Sequence, residues 1–167
     1  VVIPSGRYAI RPIFLRSNMT LKLEEGAQLL GSRNIQDYRD AFPNAGAIET
    51  SALVFGKGIE NVKVIGPGII NGRGDAPDFD FGNSKGDRPK VLHFVECKDV
   101  TVENVTLQNS AFWTAHFLMC DGVKIKGVKI YSHTNWNNDG IDIDSKNVEI
   151  ENCDIDCDDD GICMKSD

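Results

Sequence analysis

The sequence predicts an all-β fold, a right-handed parallel β-helix that forms one domain over residues 1–167. Three observations carry this reading. A four-residue pattern returns at intervals in the low twenties, every copy alternates apolar with polar residues, and no helix-period stretch joins the copies. Gly, Asn and Asp turns join them instead.

The chain opens in Val1-Val2-Ile3-Pro4-Ser5-Gly6, which reads as strand and turn. Its early period is loose. Ile35 to Ile48, with Tyr38, Phe42 and Pro43, and the polar stretch Asp75 to Pro89 read as loops inserted between coils. Gly66-Pro67-Gly68 and Asn71-Gly72-Arg73-Gly74 lack the Gly-Lys-Ser/Thr ending and following helix of a phosphate loop, so they read as turns.

The repeating pattern is a small or polar residue, Val, any residue, then Ile or Val. It occurs at Asn61-Val62-Lys63-Val64, Asp99-Val100-Thr101-Val102, Gly122-Val123-Lys124-Ile125 and Asn147-Val148-Glu149-Ile150, the last three starting 23 and 25 residues apart. Half-copies follow at Asn104-Val105-Thr106-Leu107, Gly127-Val128-Lys129-Ile130 and Asn152-Cys153-Asp154-Ile155. Short strands with one buried face, stacked about 4.8 Å apart, would bury columns of Val and Ile that no single coil could cover. A β-sandwich is the alternative, but its strands need not recur in register.

Composition narrows the partners. Apolar residues make up 41% and charged residues 26%, as in a folded protein of one core. No apolar run approaches the roughly 18 residues of a membrane helix, and no basic and apolar leader opens the chain. The expectation is a secreted or periplasmic protein whose leader lies upstream. With 25 acids against 18 bases the net charge is −7, which offers no footprint for nucleic acid or anionic lipid. An anionic substrate would therefore need a local basic pocket. The five cysteines are an odd number with no histidine at zinc-cluster spacing, which favours small core residues, one disulfide remaining open.

The chemistry concentrates near the C-terminus. Asp139-Gly140-Ile141-Asp142 and Asp160-Gly161-Ile162-Cys163 repeat 21 residues apart and carry acid where a buried repeat would want apolar side chains. Aligned by repeats, Asp139 stacks on Asp160, Asn138 on Asp159 and Asn137 on Asp158. A shift of 24 brings Trp113 beside Asn137 and His116 beside Gly140. An aromatic plate, amides and carboxylates together suit a sugar ring and its hydroxyls. Acids this close cannot all ionise freely, so at least one carboxyl is expected to keep its proton to higher pH. Asp139 and Asp160 suit joint activation of water with Asp159 as the acid, an inverting arrangement that leaves about 6.5–9.5 Å between acid and base. Strict alternation would turn Asp139 inward with Ile141 and Ile143; a kink at Gly140, and likewise at Gly161, is required to turn both acids out.

Two rival readings of the acids stay open. One takes Asp154 to Asp160 as a solvated acidic turn. Asp156, Asp158, Asp160, Gly161 and Asp167 also match positions 1, 3, 5, 6 and 12 of a calcium loop, although Asn147 to Ile155 reads as strand where that loop needs a helix.

Arg88-Pro89, Cys97, the run Asn109-Ser110-Ala111-Phe112-Trp113-Thr114-Ala115-His116, Asn137-Asn138-Asp139-Gly140 and Asp158-Asp159-Asp160 resemble, in order, the polygalacturonases of glycoside hydrolase family 28. Ile3-Pro4-Ser5-Gly6-Arg7-Tyr8, Ser17-Asn18-Met19-Thr20-Leu21 and Gly26-Ala27 extend the likeness over nearly the whole chain. The resemblance implies Asp159 as general acid, Asp139 with Asp160 as activators of water, an inverting outcome, and a site with neither cofactor nor metal. Asn137, Asn138, Trp113, His116, Asp158 and Lys165 are the expected substrate-binding residues. Asn138 stands where the family has Thr, Asp158 where it has Gly or Gln, and Asp167 where it has Gly.

The family's His-Gly and Arg-x-Lys motifs are expected downstream of the acids and do not occur between Asp160 and Asp167, so the expectation is the N-terminal part of a longer β-helix. The function expected is hydrolysis of pectic polysaccharide linked through α-galacturonic acid. The alternatives are a noncatalytic polysaccharide-binding β-helix and a calcium-dependent lyase.

Overall fold

A computed structural model describes residues 1–43, 51–79 and 88–165. The parts of the two inserted segments at 44–48 and 80–87, and Asp167 of the calcium pattern, lie outside them. The described residues wind as six coils. In order these are β1 (Val2–Ile3), β2 (Gly6–Ile10) and β3 (Ile13–Phe14); β4 (Thr20–Leu23), β5 (Ala27–Gly31) and β6 (Ala52–Lys57); β7 (Glu60–Ile65), β8 (Ile69–Asn71) and β9 (Lys90–Val95). Then come β10 (Lys98–Glu103), β11 (Thr106–Gln108) and the long β12 (Ala115–Lys126), followed by β13 (Lys129–Ser132), the long β14 (Ile141–Glu151), β15 (Asp154–Cys157) and β16 (Ile162–Met164).

Every pairing is parallel, and the fold is the right-handed parallel β-helix expected. One face stacks β2, β5, β8, β11, β13 and β15. The second stacks β1, β4, β7 and β10 with the C-terminal halves of β12 and β14; the third stacks β3, β6 and β9 with their N-terminal halves and β16. Site residues gather where the first face turns into the third.

The sequence repeats are the rungs of this ladder. Val62, Val100, Val123 and Val148 stand directly over one another, as do Leu107, Ile130 and Ile155. Val62, Val100 and Val123 are buried, and each such side chain removed from water contributes roughly 1.5–3 kcal/mol. The residue heading each copy has a backbone reason as well. Asn61, Asp99, Gly122 and Asn147, and likewise Asn104, Gly127 and Asn152, all have φ between 51° and 78°. That left-handed corner is open to Gly and tolerated by Asn and Asp, so the chain turns there into each new face.

One expectation is corrected. Ile35–Ala41 is an α-helix, α1, rather than loop. Asn34 caps it by accepting from Gln36 N at 2.9 Å, and Tyr38 packs edge-on against Phe79, ring centres 5.7 Å apart. With three apolar residues, Ile35, Tyr38 and Ala41, inside seven positions, its period was too short to register. In the described part of the other inserted segment, Pro77–Phe79 forms a 3-10 turn. Among the described residues no helix is long and apolar enough to cross a membrane. All five cysteines are free thiols, with Cys97 and Cys120 buried.

Candidate active site

Three successive turns carry the acids and the aromatic plate: residues 109–114, 133–140 and 158–161. Backbone bonds lock them in stack, Thr114 N to Asp139 O (2.8 Å), Ala115 N to Gly140 O (3.1 Å), Gly140 N to Asp160 O (2.9 Å) and Ile141 N to Gly161 O (3.0 Å). Asp139 thus stacks on Asp160, one coil apart.

The coil below is offset from the expected register. Ala115 pairs Ile141 and His116 pairs Asp142, a shift of 26 rather than 24, so Trp113 stands under Asp139 and His116 beside Asp142. The reason is local. The preceding face runs at a shift of 23, from Thr106 to Lys129, and the stretch from its last paired residue to the third face is three residues longer after Tyr131 than after Gln108. Beyond the site a bulge at Met119 and Cys120 returns the pairing to 25, with Met119 in the left-handed corner (φ 51°).

An oxygen of Asp139, an oxygen of Asp160 and Cys163 Sγ all lie within 4.8 Å of one another. Asp159 is exposed at the rim, its Oδ2 accepting from Asn137 Nδ2 (3.4 Å) and its Oδ1 from Asp160 N (3.0 Å). The chain bends at Gly140 and Gly161, as required. The glycine at 140 serves close packing instead of an unusual φ: a Cβ there would stand 2.5 Å from Gly161 O and 2.6 Å from Ile155 Cγ2. Asp139 is not turned fully to solvent. It is 4% exposed, at the foot of the cluster, with Lys165 Nζ 3.3 Å from its Oδ2.

Beneath the acids the outward row of the third face runs Phe55, His93, His116, Asp142, Cys163. His93 and His116 stack at 4.7 Å between ring centres, and Lys90 Nζ meets His116 Nδ1 at 3.1 Å. Burial, then the charges of Lys90 and Lys165, push the His116 pKa down to about 3, so the ring is neutral and accepts from Lys90. Trp113 lies edge-on to His116 and receives Lys165 Nζ 4.2 Å and Lys90 Nζ 5.0 Å from its ring centre.

Asp142 is the acid that sequence reasoning missed. It is wholly buried, 3.0 Å from Lys165 Nζ, and burial pushes its pKa up to about 7. The carboxyl that is raised is therefore this one, by burial first and by the charge of Asp139 after it. Burial opposes the charge on Lys165, but the bonds to Asp142 and Cys163 and the charges of Asp142 and Asp139 outweigh it and hold its pKa above the ordinary lysine range. The ammonium expected to meet substrate is thus occupied by two acids. The signal for Asp142 was an acid at the strand position that pairs with His116, visible only in the correct register.

The remaining expected residues support the turns. Asn138, wholly buried, donates to Ser132 O (2.6 Å) and accepts from Asp158 N (3.3 Å). Asp158 faces away from the acids toward His133, whose Nδ1 lies 2.5 Å from its Oδ1 and whose Nε2 lies 3.0 Å from Asp156 Oδ1. Two acids of the calcium pattern are thereby held by one imidazole, and β15 stands where that pattern wants a helix. Arg88 and Lys90, also missed as site residues, enter from the coil below.

The family model for glycosyl hydrolases family 28 matches residues 1–167. The chain is 31% identical over 177 residues to a Vitis vinifera protein named "Probable polygalacturonase", covering 98% of this chain and 36% of that one. It is 27% identical over 175 residues to the endo-polygalacturonase of Pectobacterium carotovorum subsp. carotovorum, covering 93% and 44% respectively. Among solved structures, the hyperthermoactive exopolygalacturonase of Thermotoga maritima superposes with a TM-score of 0.83 at 25% identity, covering 96% of this chain and 45% of that one. The chain thus spans less than half the length of these relatives.

Proposed function

The chain belongs to family 28 of the glycosyl hydrolases, and from that premise we propose that its protein hydrolyses α-linked galacturonic-acid-containing polysaccharide with inversion at the anomeric carbon. The observation that supports this most is the approach of Asp139 and Asp160 oxygens within 4.8 Å, with Asp159 next in the chain and Trp113 below. Two ionised acids at that spacing share one water and draw off its proton, and Asp159 donates to the glycosidic oxygen from the rim. Trp113 floors the cluster, with Phe112 stacked on its ring and the Lys165 and Lys90 ammonium groups over it.

Lys165, His116, Asn138 and Asp158 act from behind: Lys165 holds Asp139, neutral His116 accepts from Lys90, and Asn138 joins the turn of Asp139 to that of Asp158. Lys90 is 2% exposed and Lys165 is paired with Asp139 and Asp142, so the basic pocket that an anionic sugar needs is not supplied by these two lysines. We place the protein outside the cytoplasm, where such a polymer is found.

The test uses the gene product at its full encoded length on polygalacturonate. Expected is release of reducing ends with no product absorbing in the ultraviolet, falling about 10²–10⁴-fold in Asp159→Asn and in Asp160→Asn. Unsaturated products would mean elimination, and unchanged rates in both variants would remove these acids from the chemistry.

A further inference from the structure

Arg88 is 4% exposed and lies between two rings, its Cζ 4.6 Å from the centres of both Phe112 and Trp136. Its Nη1 donates to Trp136 O (2.5 Å) and Ala111 O (3.4 Å), and its Nη2 to Asn137 Oδ1 (3.2 Å). One side chain ahead of β9 therefore grips two higher turns, the one bearing Trp113 and the one bearing Asn137 and Asp139. A guanidinium only donates, so the atom of Asn137 that faces it must be the oxygen. That leaves the Asn137 NH2 aimed the other way, and its Nδ2 lies 3.4 Å from Asp159 Oδ2.

Resting on the reading of Asp159 as the acid, we propose that Arg88 is a positioning residue for it: the guanidinium fixes the orientation of the Asn137 amide, and that amide fixes the Asp159 carboxyl. Asp159 stands exposed on a turn and has one other held oxygen, Oδ1 on Asp160 N. With Asn137 in place both oxygens are held and the carboxyl plane is set. Without Arg88 the amide is free to flip, and its oxygen would then face the carboxylate. Lysine is no substitute, because the planar fork that bridges Trp136 O and Asn137 Oδ1 while stacking between two rings has no counterpart in an ammonium. Burial lowers the Arg88 pKa only from a high starting value, so the donor is charged at every working pH.

The experiment combines kinetics with a resonance that needs no turnover. In Arg88→Lys, kcat on polygalacturonate is expected to fall about 10–100-fold with KM within about 2-fold, since a misplaced acid slows the chemical step more than binding. Asn137→Asp keeps an acceptor for Arg88 but loses the donor to Asp159, and should lose as much; Arg88→Lys with Asn137→Ala should be no worse than either alone. The Asn137 side-chain amide should give a distinct, exchange-protected NMR signal in the wild type that reverts toward the free-amide position in Arg88→Lys. If Arg88→Lys does not fold, Asn137→Asp decides. Wild-type kcat in Asn137→Asp, a loss confined to KM, additive losses, or an unmoved amide signal would overturn the proposal. Should the wild type not hydrolyse the polymer, the hydrolase reading fails while the amide signal still tests the clamp.

Discussion

Lys165 Nζ lies 3.0 Å from Asp142 Oδ1 and joins the residue after β16 to an acid with no solvent exposure. The same ammonium is 3.3 Å from Asp139 Oδ2. Burial makes the ionisation of Asp142 costly, Lys165 offsets part of that and the charge of Asp139 adds to it, so Asp142 titrates near 7.

This makes stability depend on pH with a definite sign. An acid raised in the folded state stabilises fully below its unfolded value, near 3.8, and that contribution is lost as pH rises through about 7. The isosteric, uncharged Asp142→Asn should therefore gain on the wild type by on the order of 2–4 kcal/mol between pH 4 and pH 8. Denaturant midpoints of both proteins across that range measure it. A constant difference between the two curves would show that Asp142 is ionised throughout.

Gly140 lies close under the next turn, and Gly140→Ala would drive a Cβ to 2.5 Å from Gly161 O. It should cost about 2–4 kcal/mol by overpacking. Thermal unfolding checks this, and an unchanged midpoint would contradict the close stacking of the two turns.

His133 is held between Asp158 and Asp156, and its bond to Asp158 is the main cause that raises its pKa above the ordinary 6.5. Its contribution to stability is present below 6.5 and is lost as pH rises through the higher folded value. Imidazole NMR should find His133 titrating above 6.5, with Asp158→Asn lowering it more than Asp156→Asn. The order reversed, or a midpoint below 6.5, would mean that the two acids do not hold the ring.

The coils were legible because burial imposes a strict period: Val62, Val100, Val123 and Val148 must alternate inward, and Asn61, Asp99, Gly122 and Asn147 must tolerate the same corner. The vertical pairing of Asp139 with Asp160 followed, because the matching Asp-Gly-Ile segments set the register of β14 on β16. Trp113 and His116 were misplaced by two positions because the longer turn after β13 is partly offset by the bulge at Met119, leaving repeat spacings of 23 and 25 that conceal a local shift of 26. Asp142 and Arg88 escaped for a related reason. Their roles arise from contacts 23 and 49 residues away, with Lys165 and Asn137, which no local pattern encodes.

The account stands or falls on Asp139 and Asp160 sharing a water across from the leaving group. Proton NMR of the first seconds of hydrolysis of an α-linked oligogalacturonide reads this directly. The new reducing end should appear first as the β-anomer and only later equilibrate. The α-anomer appearing first would place a covalent sugar intermediate on one of these acids and contradict the arrangement.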